Sequence, residues 1–176
     1  MAIDLNTVQT TLEPLLNWSN VPLNIPSLMA LAAGLGWASG LRLYALVFTL
    51  GALDRFAGVT LPGDLNVLGN SWVLGISGVM LLMEFFADKI PWLDSVWDTI
   101  HTFIRIPAGA ALAGAVMGDQ GTAMQVAMGL MGGTLAAGTH LAKASTRAVI
   151  NTSPEPFSNV GASLGEDVMF TTGLWA

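Results

Sequence analysis

Apolar residues run along this chain in blocks longer than a water-soluble fold needs, with charges mostly at the block ends. From Ser27 to Leu53 the only charged residue is Arg42. A helix crosses a bilayer with about 20 apolar residues, so this block spans with tilt to spare. Asp54 and Arg55 lead into a Gly- and Pro-containing loop, Gly58 to Asn70, before a second block, Ser71 to Ala87, with Glu84 near its far end. Ile90 to Arg105 has a different pattern. Leu93, Val96, Trp97, Ile100, Phe103 and Ile104 share one helical face. Asp94, Asp98, His101 and Arg105 form a stripe roughly 60° wide at about 100° per residue. Such a helix rests at an interface or lines a polar interior. Ile106 to Gly118 is too short to span alone, so it extends the amphipathic helix or re-enters. The turn Gly118-Asp119-Gln120-Gly121 sends the next block, Thr122 to Ala142, back antiparallel. After Lys143, Arg147 and a loop from Asn151 to Phe157 comes a last block, Ser158 to Ala176, holding Glu166 and Asp167.

The first residues stand apart. Leu5, Val8, Leu12, Leu15, Leu16 and Trp18 recur at helical spacing, and no Lys or Arg precedes them. That pattern predicts a surface-lying amphipathic helix rather than a cleaved signal. The chain thus divides into an interfacial segment, 1–26, and a polytopic transmembrane domain, 27–176. The predicted fold is an all-α integral membrane protein, a compact bundle of four or five transmembrane helices plus the amphipathic helix. Gly75, Gly78, Leu81 and Lys89 match Gly129, Gly132, Leu135 and Lys143 at a constant offset, a weak repeat that suggests a duplicated two-helix unit.

Composition supports the membrane assignment. Charged residues make up 10% of the chain, against about 25% in soluble domains, so lipid must cover much of the surface. Mean hydropathy is +0.62. A net charge of −6 with only six Lys plus Arg argues against nucleic-acid binding. With no cysteine, disulfides, thiolate catalysis and Cys-based metal sites are excluded. Lys89 with Arg105, and Lys143 with Arg147, gather on one predicted side, opposite Arg55 alone. The positive-inside rule makes that side cytoplasmic and the N-terminus cytoplasmic with it. Gly36/Gly40, Gly114/Gly118, Gly129/Gly133 and Gly161/Gly165 each lie four apart, which predicts close packing of helix on helix within the membrane lipid. The same faces leave room for a homo-oligomer or a membrane-complex partner.

An ionisable residue inside a span costs about 2.5–3.5 kcal/mol, so it faces the bundle interior and has a partner. Arg42, Glu84, Asp88, Lys89, His140, Lys143, Glu166 and Asp167 are the candidates, joined by the stripe Asp94, Asp98, His101 and Arg105 and by Arg147 and Asn151. Glu84 with Asp88, and His140 with Lys143 and Arg147, form an acidic and a basic ladder that could zip together. Glu166 and Asp167 point about 100° apart, so they serve different partners.

The blocks Glu84-Phe-Phe-Ala-Asp88-Lys89-Ile-Pro91, Phe103-Ile-Arg105-Ile-Pro107-Ala-Gly109, His140-Leu-Ala-Lys143-Ala-Ser-Thr-Arg147 and Ser163-Leu-Gly-Glu166-Asp167-Val168 add a resemblance. With Asp94, Asp98 and Asn151, they make the chain after about Leu28 similar to a bacterial membrane family, domain of unknown function 4126. The resemblance implies a bacterial inner membrane and singles out residues, but brings no activity.

Three functions remain. One is a small-solute or ion transporter or channel with a polar cluster near the cytoplasmic side. Another is a structural or accessory subunit of a membrane complex, whose buried charges only fix helix packing. An enzyme ranks last, because no metalloprotease motif, phosphate loop or nucleophile elbow is present. Asp94, Asp98 and His101 have ligand-like spacing that ordinary helix faces share, so no metal site is predicted and no motif identifies a cofactor.

Overall fold

The computed structural model describes residues 23–152 and 156–175, and every regular element among them is helical. Five α-helices, α1 (Ile25–Ala57), α2 (Ser71–Ala87), α3 (Pro91–Val116), α4 (Thr122–Asn151) and α5 (Pro156–Trp175), are joined by short connections. A 3-10 helix, Gly63–Gly69, precedes α2. The amphipathic helix expected from Leu5 to Trp18 lies outside the described residues.

Local chemistry sets the helix ends. Asn24 caps α1 by accepting from the Ser27 amide, with a proline in the first turn. Gly58 closes it at φ 68°, the left-handed conformation glycine adopts without penalty. Asn70 caps α2 by accepting from the Trp72 amide. The helix carries Asp54 and Arg55 up to the loop that begins at Gly58, and Arg55 donates to the Gly69 carbonyl.

α1 is broken at Arg42, where φ is −144° and ψ 75°. Before the break, Gly36 lies against Gly132 and Gly40 against Ala136, so this limb runs alongside α4 in the same direction. After it, Phe48 meets Gly78 and Gly51 meets Leu74, so the second limb runs antiparallel to α2. The second limb leads to the 3-10 helix, where Gly63 sits against the last carbonyls of α3. Both ends of α1 therefore lie beside the turn between α3 and α4, and Arg42 lies at the far end. The sequence suggests one passage from Ser27 to Leu53. The fold makes two limbs of about 25 Å and 22 Å that meet at the arginine.

α3 and α4 form the most extensive helix pair. Their partners progress in opposite directions, from Asp94 with Arg147, through Thr102 with His140, to Gly109 with Gly132. The short block Ile106 to Gly118 extends the amphipathic helix, which continues through Pro107. Glycine explains the close approach. A Cβ on Gly36 would lie 2.6 Å from the Gly132 Cα, and one on Gly132 would lie 2.7 Å from the Gly109 carbonyl oxygen. Gly109 and Gly132 belong to none of the four-spaced pairs, whereas Gly161 and Gly165 face open space. The repeat partners also sit differently: a Cβ on Gly75 would meet nothing within 4 Å, while one on Gly129 would lie 3.3 Å from the Ala110 carbonyl oxygen.

The bundle is apolar at one end and charged at the other. Leu28, Leu65, Leu68, Leu112, Val116, Met117 and Met128 pack near the α3–α4 turn. Outside, Trp72 and Phe103 are each 80% exposed, while Arg105 and Glu84 are fully buried. Large apolar side chains outside and charges inside suit lipid, where only helices with internally satisfied backbones cross. By length and composition, Ile25–Ala57 counted whole across its break and the Trp92–Val116 stretch of α3 are each long and apolar enough to cross a membrane, and the 3-10 helix with α2, bent by 72°, makes a third candidate.

Candidate functional site

The charged end is a single buried network. Arg42, at the apex of α1, meets Asp88 at 2.8 Å and Asp167 at 2.5 Å. The break in α1 frees this side chain from a continuous helix, and it reaches the C-terminal end of α2 and the middle of α5. Arg105 on α3 pairs with Glu84 on α2, and its Nη1 donates to Asp98 at 3.1 Å. Lys143 on α4 stands among Glu166 at 3.5 Å, Asp88 at 3.8 Å and Asp98 at 3.9 Å. Arg147, one turn on, reaches Asp94 at 3.2 Å and Glu166 at 3.6 Å and donates to the Asp88 carbonyl.

Of the fourteen residues singled out, these ten charges join directly. His140 joins them by hydrogen bonds. Arg105 can only donate, so the His140 Nδ1 3.3 Å away accepts, and the ring proton is assigned to Nε2. Nε2 then donates to the Thr102 hydroxyl at 2.7 Å, which donates to the Asp98 carbonyl at 3.0 Å. His101 is different. It donates from Nδ1 to the Trp97 carbonyl at 2.7 Å, stacks on the Trp97 ring, and meets Tyr44 edge-on. Lys89 stays at the rim, donating to Ser163 Oγ with its ammonium 3.9 Å over the Phe85 ring. Asn151 ends α4, and its side chain lies outside the described residues.

The two ladders meet by a different pairing from the one the sequence suggests. Asp88 lies beside Lys143, but Glu84 turns to Arg105. Glu166 and Asp167 do take different partners. The polar stripe of α3 faces inward, because its apolar residues are the ones exposed. Sequence reasoning did not single out Tyr44, Ser39, whose hydroxyl donates to the Arg105 carbonyl, or Thr102. Thr102, four residues after Asp98, stands about 40° from it around the helix, a signal the stripe already contained.

A groove of about 370 Å³ between α3 and α4 reaches this network. Ser95, Thr99, Thr102 and Ser145 line its sides, and Asp98 and Arg147 belong to its wall. Among the described residues, no three His, Asp or Glu side chains converge as metal ligands would. The arrangement can bind or pass a small polar species, or hold a proton. No curated protein matches the chain, and no solved structure does. The profile of the family described as Domain of unknown function (DUF4126) matches residues 29–176, which hold every residue of the network, so the chain belongs to that family.

Proposed function

We propose that this protein passes a small ion or solute across a bacterial inner membrane, along a route built on the buried charges. One observation carries the proposal: the α3–α4 groove reaches Asp98 and Arg147, so the network is open on one side. The break in α1 supports it. Transporters set substrate sites where a helix is interrupted, since irregular backbone at membrane depth is tolerated where protein buries it or a cavity is lined. In this arrangement α2 to α5 cross the bilayer and α1 is a re-entrant pair of limbs. The charged end is cytoplasmic, since Lys89, Arg105, Lys143 and Arg147 gather there, and the turn at Arg42 then puts Asn24 at the opposite end, not on the cytoplasmic side expected from a single passage of α1.

A second function, a structural or accessory subunit of a membrane complex or of a homo-oligomer, is favoured by the fact that every buried cation has a carboxylate within 4 Å. Flux through liposomes separates the two. The purified chain should carry at least one of a panel of small ions and neutral solutes. Ser145→Trp, at an exposed groove position, should stop that flux while the protein stays folded. A folded wild type that carries nothing in the panel favours the accessory role.

A further inference from the structure

The route proposed above leaves open what it carries, and the wall of the α3–α4 groove narrows the choice. Two charges belong to that wall, Asp98 and Arg147, and both are turned inward. Asp98, with a side chain 5% exposed, accepts from Arg105 at 3.1 Å. Arg147, 1% exposed, reaches Asp94 at 3.2 Å and donates to the Asp88 carbonyl. The two are opposite in sign and each already has a partner, so the groove favours neither a cation nor an anion. An ion that left water for this wall would lose hydration with little to replace it.

Hydroxyls make up the rest of the polar wall, from Ser95, Thr99 and Thr102 on α3 and Ser145 on α4. Ala144 and Ala148, one turn apart on α4, end at Cβ and leave the space between the helices open. A hydroxyl has one proton and two lone pairs. Thr99 directs its proton to the Ser95 carbonyl at 2.8 Å. Thr102 directs its own to the Asp98 carbonyl at 3.0 Å and accepts from the His140 ring at 2.7 Å. Back-bonding of this kind to the helix's own carbonyls leaves lone pairs, not protons, for anything outside the helix. Ser145 is exposed and can turn its hydroxyl into the groove. The wall is therefore an acceptor surface with balanced charge. Its volume of about 370 Å³ lies near the lower end of the range for small-molecule sites, about 300–1,000 Å³.

We propose that the α3–α4 groove binds and passes a small neutral solute that carries several O–H or N–H donors, a polyol or a urea-like amide, held by the hydroxyl oxygens of Thr99, Thr102 and Ser145. This rests on the route proposed above and names the class of molecule that the route takes. Such a solute brings the protons that the wall lacks and no charge for the wall to neutralise.

Stopped-flow light scattering of liposomes holding the purified full chain tests this, with glycerol, urea, sodium chloride and potassium chloride as probes. Glycerol or urea should enter faster than into protein-free liposomes, and sodium and potassium should not. Thr99→Val keeps the shape, removes the acceptor and should slow entry about fivefold, the worth of one ordinary hydrogen bond. Thr99→Ser should keep the wild-type rate, and Ser145→Trp should stop entry. Saturation-transfer NMR with glycerol and urea in detergent reads binding apart from passage. Sodium or potassium entry that Ser145→Trp blocks keeps the route and overturns the neutral solute. Binding that Thr99→Val weakens, without any passage, keeps the ligand class and removes the route. A folded wild type that neither binds nor carries glycerol or urea overturns the proposal, as does a Thr99→Val variant that matches the wild type in both.

Discussion

Arg105 shows what a single side chain contributes. Its guanidinium holds Glu84 from α2, Asp98 from α3 and the His140 ring from α4, and its carbonyl accepts from Ser39 of α1. The planar fork suits this task, since it offers five donors in fixed directions. Replacing it with a residue that cannot donate leaves Glu84 and Asp98 buried without that partner. Removing one partner of a buried pair costs about 3–5 kcal/mol. Arg105→Met should therefore lower the melting temperature in detergent sharply, and Arg105→Met combined with Glu84→Leu should recover part of the loss. An unchanged melting curve for the single variant would mean the network contributes little to stability. At this scale the sequence was informative about membership. Charge inside an apolar block marked Arg42, Glu84 and His140, and the stripe on α3 marked Asp94, Asp98 and Arg105. Pairing was not legible, because which cation meets which carboxylate depends on how five helices are placed, and helical spacing constrains only neighbours on one helix. Tyr44 was missed for a related reason: an uncharged hydroxyl inside an apolar block carries no cost large enough to signal a role.

Helix packing depends on where glycine removes a side chain between two backbones. Gly132 is one such point between three helices, since a Cβ there would press on Ala113 and come within 2.7 Å of the Gly109 carbonyl oxygen, and Gly36 of α1 lies against its other side. Gly75 is exposed and has nothing within 4 Å. Gly132→Leu should therefore separate α1, α3 and α4 at a cost of about 1–3 kcal/mol or more. Gly75→Ala should stabilise α2 by up to about 1 kcal/mol through helix propensity alone. Thermal unfolding in detergent compares the two; equal effects would contradict the packing described. The helices were legible as elements from apolar block length and from the turn at Gly118 to Gly121. The path of α1 was not. A lone arginine in an apolar run reads the same whether the helix crosses straight or turns back, and the turn is decided by the carboxylates of α2 and α5 waiting at the apex.

At the scale of the whole molecule, charge is inside and apolar surface outside, and the two limbs of α1 set which segments share a side. Leu23 just before α1, Thr60 after it and Gln120 in the α3–α4 turn all belong to the end opposite the network, whereas Thr152 follows α4 at the charged end. A straight crossing by α1 would instead put Leu23 with Thr152. Because the chain has no cysteine, single replacements at these four positions report without background. Leu23, Thr60, Gln120 and Thr152 are all exposed, so each replacement adds a reachable thiol without disturbing the core. A membrane-impermeant maleimide applied to intact cells should label Leu23→Cys, Thr60→Cys and Gln120→Cys together and spare Thr152→Cys. Inverted vesicles should reverse the pattern. If Leu23→Cys follows Thr152→Cys while the other two stay together, α1 crosses once, and the charged apex at Arg42 loses the geometry that brings it to Asp88 and Asp167. If all four label from one side, α4 does not cross, and the groove beside it opens on the same face as the α3–α4 turn.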